Sequence, residues 1–206
     1  MTRRTTPSTA YDELLRGTSP DAGAALGTPG VAAEPAGVRL TRIVADLAGA
    51  GLTVATAESL TGGLLAAALT SVPGSSAVVR GGLIVYATDL KQALAGVDAD
   101  LLDRRGPIDP DVAVALAEGA RRRCVADIGI GLTGVAGPDP QDGTPPGTWY
   151  VAVVGPGGVL TSSSPASAGP GRAPPDTDRQ QIRADAVGAA LRLLDAAREH
   201  SGRPQR

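Results

Sequence analysis

Apolar positions follow no period up to residue 36, and Pro and Gly interrupt every short run, as in MTRRTTPSTAYDELLRGTSP. This predicts a disordered N-terminal arm over 1–36, with at most a short helix at YDELLRG. From Val38 the pattern turns helical. Val38, Leu40, Ile43, Val44 and Leu47 recur near one face of VRLTRIVADLAGAG, which ends in glycine, a C-cap residue. TVATA at 53–57 is short and rich in β-branched residues, the signature of a buried strand. The alternation then continues. TGGLLAAALTSV predicts a helix, GGLIVYA a strand, ATDLKQALAG a short helix and DPDVAVALAEGARRRC a longer one, with Asp109 at the N-cap and Pro110 at the first helical position. ADIGIGLTG predicts a strand with interior glycines, followed by the loop VAGPDPQDGTPPG.

TWYVAVVG and GGVLTSSS, separated by PGG, predict a β-hairpin. A second Pro/Gly-rich loop, SPASAGPGRAPP, precedes a closing helix over DTDRQQIRADAVGAALRLLDAAR. Strands alternating with helices predict a three-layer α/β/α sandwich around a mainly parallel, mixed sheet of about five strands, one of them antiparallel. The predicted domain covers 37–200, and 201–206 forms a disordered tail.

Composition narrows the chemistry. The chain has 206 residues and is 42% hydrophobic, enough for a sizeable core, but with no Phe, one Trp and three Tyr that core must be built from Ala, Val, Leu and Ile. A net charge of −2 gives no footprint for nucleic acid or an anionic membrane. No apolar run reaches the length of a membrane span and none follows Met1 as a signal core, so a cytoplasmic protein is expected. The lone Cys124 excludes an intrachain disulfide and reads as a small buried hydrophobe. The lone His200, near the C-terminus, leaves little room for histidine catalysis or ligation. Asp and Glu do not group at ligand-like spacings, so neither a metal nor a cofactor is expected. Carboxylates, hydroxyls, backbone dipoles and one lysine remain.

That lysine, Lys91, stands among eighteen arginines. Guanidinium keeps its proton at any working pH, whereas a desolvated lysine can give its proton up. Lys91 falls early in the helix after Tyr86, where the helix dipole and a cleft would both disfavour an ammonium. A solvated surface lysine would fit the sequence as well. In TVATAESLTGG a strand runs into a turn holding Glu58, Ser59 and Thr61, and two glycines open the next helix. Such turns lie where open α/β sheets bind ligands, and helix-start N–H groups favour an oxyanion. Ser59 is therefore placed as a nucleophile, although serine at this position also serves as an N-cap. Thr133 and the glycines of GLTGVAGPDP would let main chain approach a ligand.

Together these stretches resemble one family. TAESLTGG at 56–63, PGSS at 73–76, GGLIVYATDLK at 81–91, LTGVAGPDP at 132–140, PGTWYVAV at 146–153 and DRQQIRADAVGAAL at 178–191 occur in the order found in the CinA C-terminal domain, the nicotinamide-nucleotide amidohydrolase family. The similarity runs from 38 to about 195. It departs from the family at Ala87 and Thr88, where Ser-Asn is usual, in PPGT, where a lysine often precedes, and at Thr177, where the family has glycine before Asp178 and Arg179.

The resemblance implies hydrolysis of the carboxamide of nicotinamide mononucleotide to nicotinic acid mononucleotide and ammonia, in pyridine-nucleotide salvage, without metal or cofactor. It implies a catalytic set of Ser59 as nucleophile, Lys91 as base and Tyr86 relaying or positioning the proton. Thr61, Gly62 and Gly63 are the expected oxyanion donors. Glu58, Thr133, Gly134, Ala136, Gly137 and Arg179 are expected to bind substrate. A small-molecule nucleotide is the expected partner, with nucleic acid and membrane excluded and homo-oligomerisation left open. The alternative implied by the same family is a non-catalytic nucleotide-binding or interaction module of the competence/damage-inducible type.

Overall fold

The computed structural model describes residues 36–164 and 179–201. The elements are α1 (Ala36–Ala50), β1 (Val54–Glu58), α2 (Leu64–Thr70), a 3-10 turn (Ser75–Ala77), β2 (Val79–Ile84), α3 (Thr88–Ala93), α4 (Ala99–Arg105), α5 (Pro110–Arg123), β3 (Ile128–Gly134), β4 (Trp149–Gly155), β5 (Gly158–Ser163) and α6 (Arg179–Ser201). The expected arm up to residue 35, most of the second Pro/Gly-rich loop, the start of the closing helix with Thr177 and Asp178, and the tail beyond Ser201 lie outside the described residues, while Ala36 and Ser201, expected in the arm and the tail, belong to α1 and α6.

The five strands form one sheet in the order β2-β1-β3-β4-β5. β1 pairs parallel with β2 and β3, and β4 pairs antiparallel with β3 and β5. Only β4 therefore runs against the others, as the hairpin pattern predicts. Alternation along the strands divides the core between two faces. Ile128, Ile130 and Leu132 of β3 and Val151 and Val153 of β4 pack with Ile43 and Leu47 of α1, Leu65 and Leu69 of α2, and Ile182 and Leu194 of α6. Ala55 and Ala57 of β1 pack on the opposite face with Val112, Leu116 and Ala120 of α5, and with Leu102 of α4.

The interior glycines of β3 have a packing cause. A Cβ at Gly129 would collide with the backbone carbonyl of Ala117, and one at Gly131 with that of Ala113. The α5 backbone lies directly on the sheet there, a distance only glycine allows. Asp109 caps α5 as expected, accepting from the Asp111 N–H at 2.8 Å, with Pro110 opening the helix. Two expectations shift. Cys124 is only half-buried. β2 begins at Val79 and ends at Ile84, so Tyr86 lies beyond the strand rather than at its end.

Candidate active site

β1, β2 and β3 are parallel, so the segments following them emerge on one edge of the sheet. The chain passes from β1 to β2 on one side and then to β3 on the other, which makes the β1/β3 boundary a switch point where open sheets bind ligands. A cavity of about 300 Å³ opens there. Ser59 and Leu60 line it from the turn after β1, Tyr86, Ala87 and Thr88 from the segment after β2, Gly134, Val135, Ala136, Gly137, Asp139 and Gln141 from the loop after β3, and Arg179 from the start of α6.

Ser59 is fixed by main chain. Its N–H donates to Leu132 O at 3.0 Å, and its carbonyl accepts from Gly62 N–H at 3.0 Å, closing a tight turn. Its hydroxyl meets Lys91, whose Nζ lies 3.1 Å from Ser59 Oγ, 2.9 Å from Val85 O and 3.2 Å from Tyr86 O. Lys91 is 2% exposed and is the largest fully buried side chain among the described residues. Burial pulls its pKa down from 10.5 to about 8, and the carboxylate of Asp89 opposes this only in part. A neutral amine has two N–H donors and one lone pair. Here the two carbonyls match the donors, leaving the lone pair for the serine hydroxyl.

Tyr86 does not stand between these groups as the relay role requires. Tyr86 is 59% exposed and its hydroxyl accepts from Arg179 Nη2 at 3.1 Å, while its carbonyl accepts from Lys91. Lys91 reaches Ser59 directly. Arg179 also donates to Gly137 O, so its guanidinium ties the β3 loop to the tyrosine at the cavity wall.

Two expected substrate contacts are engaged elsewhere. Glu58 is fully buried. Its carboxylate accepts from Gly63, Leu65 and Ala66 N–H at 3.1, 3.1 and 2.8 Å and from Thr56 Oγ1 at 3.1 Å, so it caps the N-terminus of α2 instead of lining the cavity. Thr133 is buried, and its hydroxyl donates to Pro107 O at 2.6 Å, away from the cavity. Gly134, Ala136 and Gly137 do line it.

Two of the three expected oxyanion donors are already engaged. Gly62 N–H is held by Ser59 O and Gly63 N–H by Glu58. The N–H groups of Leu60 and Thr61 meet no acceptor within the described residues. Leu60, Asp139 and Gln141 escaped the sequence reading. For Leu60 the missed signal is its position directly after Ser59, the candidate nucleophile, in a strand-to-helix turn.

Comparison with known proteins decides the family. The CinA C-terminal domain matches residues 39–197. The chain belongs to the CinA C-terminal domain family. A CinA-like protein of Frankia casuarinae is 46% identical over 126 residues, 61% of this chain and 27% of the relative. A CinA-like protein of an Anaeromyxobacter species is 48% identical over 132 residues, 63% of this chain and 30% of the relative. The chain thus spans about a quarter to a third of the length of these curated relatives. The crystal structure of competence/damage inducible protein CihA from Agrobacterium tumefaciens has a TM-score of 0.70 at 35% identity, covering 81% of this chain and 99% of that one. A CinA superfamily protein from Escherichia coli gives a TM-score of 0.67 at 30% identity, covering 77% and 87%. Among the described residues no helix is long and apolar enough to cross a membrane.

Proposed function

We propose that this domain is a serine amidohydrolase that removes the amide nitrogen of nicotinamide mononucleotide. The observation that carries the reading is the 3.1 Å contact between a buried lysine amine and a serine hydroxyl beside a cavity at the carboxyl ends of the parallel strands. The neutral Lys91 amine takes the hydroxyl proton as Ser59 Oγ attacks the carboxamide carbon. The C–N bond then breaks, and the proton passes from Lys91 to the leaving nitrogen, releasing ammonia and leaving a Ser59 ester. Water hydrolyses that ester with Lys91 again as base, which gives nicotinic acid mononucleotide and restores the hydroxyl.

The cavity supports a substrate with a polar tail. Arg179 presents a guanidinium suited to a phosphate, and Asp139 a carboxylate suited to sugar hydroxyls. The test is ammonia release from nicotinamide mononucleotide by the purified protein and by Ser59→Ala. The expected result is release that depends on Ser59. Tight binding of the nucleotide without release at any pH from 6 to about 10 would instead favour a binding module.

A further inference from the structure

Arg183 lies on α6, more than a hundred residues from the serine turn, yet its Nε donates to Leu60 O at 3.2 Å and its Nη2 to Thr61 O at 2.7 Å. Its remaining nitrogen, Nη1, donates to Gln180 Oε1 at 2.8 Å. One guanidinium therefore spans two consecutive carbonyls of the turn that follows Ser59. Arg183 does not line the cavity, so it is not placed to touch substrate.

The consequence follows from peptide planarity, since the C=O of one residue and the N–H of the next point in opposite directions within one rigid unit. Holding Leu60 O fixes the plane that carries Thr61 N–H. Holding Thr61 O fixes the plane that carries Gly62 N–H, which donates to Ser59 O and so fixes the plane that carries Leu60 N–H. The three planes after the nucleophile are locked, two directly by Arg183 and the third through Gly62. What the lock leaves open is a set of donors. Among the described residues Leu60 N–H and Thr61 N–H have no acceptor, and the buried Thr61 hydroxyl also has no partner. Buried polar groups are rarely left unpaired unless a function uses them. Leu60 itself walls the cavity beside Ser59.

We infer that Arg183 is a positioning residue that holds the Leu60 peptide N–H as the oxyanion donor for an acyl group on Ser59. The inference rests on the serine-nucleophile reading above. It extends that reading to a residue remote from substrate and to a donor different from the glycine N–H groups that the motif suggests. Arginine is required because a lysine point charge cannot bridge two carbonyls as a planar fork does.

The test uses Arg183→Lys and Arg183→Ala in the full chain, assayed with nicotinamide mononucleotide and separately with p-nitrophenyl acetate. The ester asks only for a working nucleophile and oxyanion donors. The expected result is a fall in kcat of at least about tenfold for both variants, with KM within about twofold, the signature of an interaction made in the transition state. The pH midpoint should stay at the parental value, because Lys91 is untouched. Millimolar guanidinium should restore part of the Arg183→Ala rate, whereas it cannot restore a protein that has lost its fold. A parental kcat in Arg183→Lys, or a rise in KM with kcat unchanged, would overturn the inference. Should the parent acylate with the ester but release no ammonia from the nucleotide, the substrate assignment fails while the Arg183 comparison still reads out on the ester. A parent inert to both defeats the inference as well.

Discussion

Lys91, thirty-two residues downstream of Ser59, brings its amine to 3.1 Å from the serine hydroxyl without itself lining the cavity. The contact joins α3 to the turn after β1 and buries the only lysine of the chain. Lys91→Met should therefore reduce turnover by at least about a hundredfold, as expected for loss of a positioned base. Lys91→Arg should be equally inactive, because guanidinium gives up no proton. Ser59→Ala should match them, and the double variant should be no worse than the poorer single one. Ammonia release with circular dichroism on each variant checks this; near-parental turnover in a folded Lys91→Met would remove the lysine from the mechanism.

The rate should depend on pH through the same group. A base must be neutral to act, and burial brings the Lys91 pKa down to about 8. kcat/KM should rise with unit slope below that value and level off above it. Because the Asp89 carboxylate holds the pKa up, Asp89→Asn should move the midpoint to lower pH. A profile flat from 6 to about 10 in both proteins would count against a lysine base.

Stability should carry a matching signature. In the unfolded chain Lys91 returns to 10.5, so between about 8 and 10.5 the unfolded state binds more protons than the folded one. Stability then rises with pH across that window, whereas below about 8 the cost of burying the ammonium is fully present. The pKa difference amounts to about 3 kcal/mol. The stability of the parent relative to Lys91→Met should thus improve by up to that amount between pH 7 and about 10.5, read from urea unfolding at each pH. A constant difference would mean that Lys91 is not desolvated.

The layers were legible because strands and helices differ in period, and the interior apolar runs of β1, β3 and β4 carried that signal cleanly. α4 was missed. ADLLDRR is short, mostly polar and buries only Leu102, so it lacks an apolar period, and its marks are confined to its ends, Asp98 at the N-cap, Arg104 and Arg105 in the last turn and Gly106 at the C-cap. In the site, Ser59 and Lys91 could be singled out by residue type and placement, but Glu58 was misread. Successive strand residues point to opposite faces, so Glu58 and Ser59 could not both be expected to face the cavity, and the carboxylate turns to the α2 N-terminus. Tyr86 and Arg183 were beyond local pattern. Their partners lie 93 and more than 120 residues away, on elements whose approach only tertiary packing sets.

The glycines of β3 give a test of the packing. Gly131→Ala should destabilise by at least about 1–3 kcal/mol, since the new methyl meets the Ala113 carbonyl of α5 and the helix must move. Gly49→Ala, near the end of α1 with open space around it, should be neutral or stabilising by up to about 1 kcal/mol. Urea midpoints for the pair separate close approach from a general effect of replacing glycine, and equal effects would refute it.

Arg179 offers the sharpest handle on the substrate. Its guanidinium reaches Gly137 O and the Tyr86 hydroxyl at the cavity wall, neither of which satisfies its charge. A phosphate would. If nicotinamide mononucleotide is the substrate, Arg179→Met should raise its KM about ten- to a hundredfold, the range for losing a hydrogen bond to a charged group. Nicotinamide riboside lacks the phosphate, so for the parent it should be the poorer substrate, and Arg179→Met should change its kcat/KM little. The ratio of kcat/KM between nucleotide and riboside should then collapse toward one in the variant. Tyr86→Phe, which removes only the hydroxyl beside Arg179, should have a smaller effect on the same ratio. Should Arg179→Met slow both substrates equally, the guanidinium would be supporting the loop at Gly137 rather than reading a phosphate.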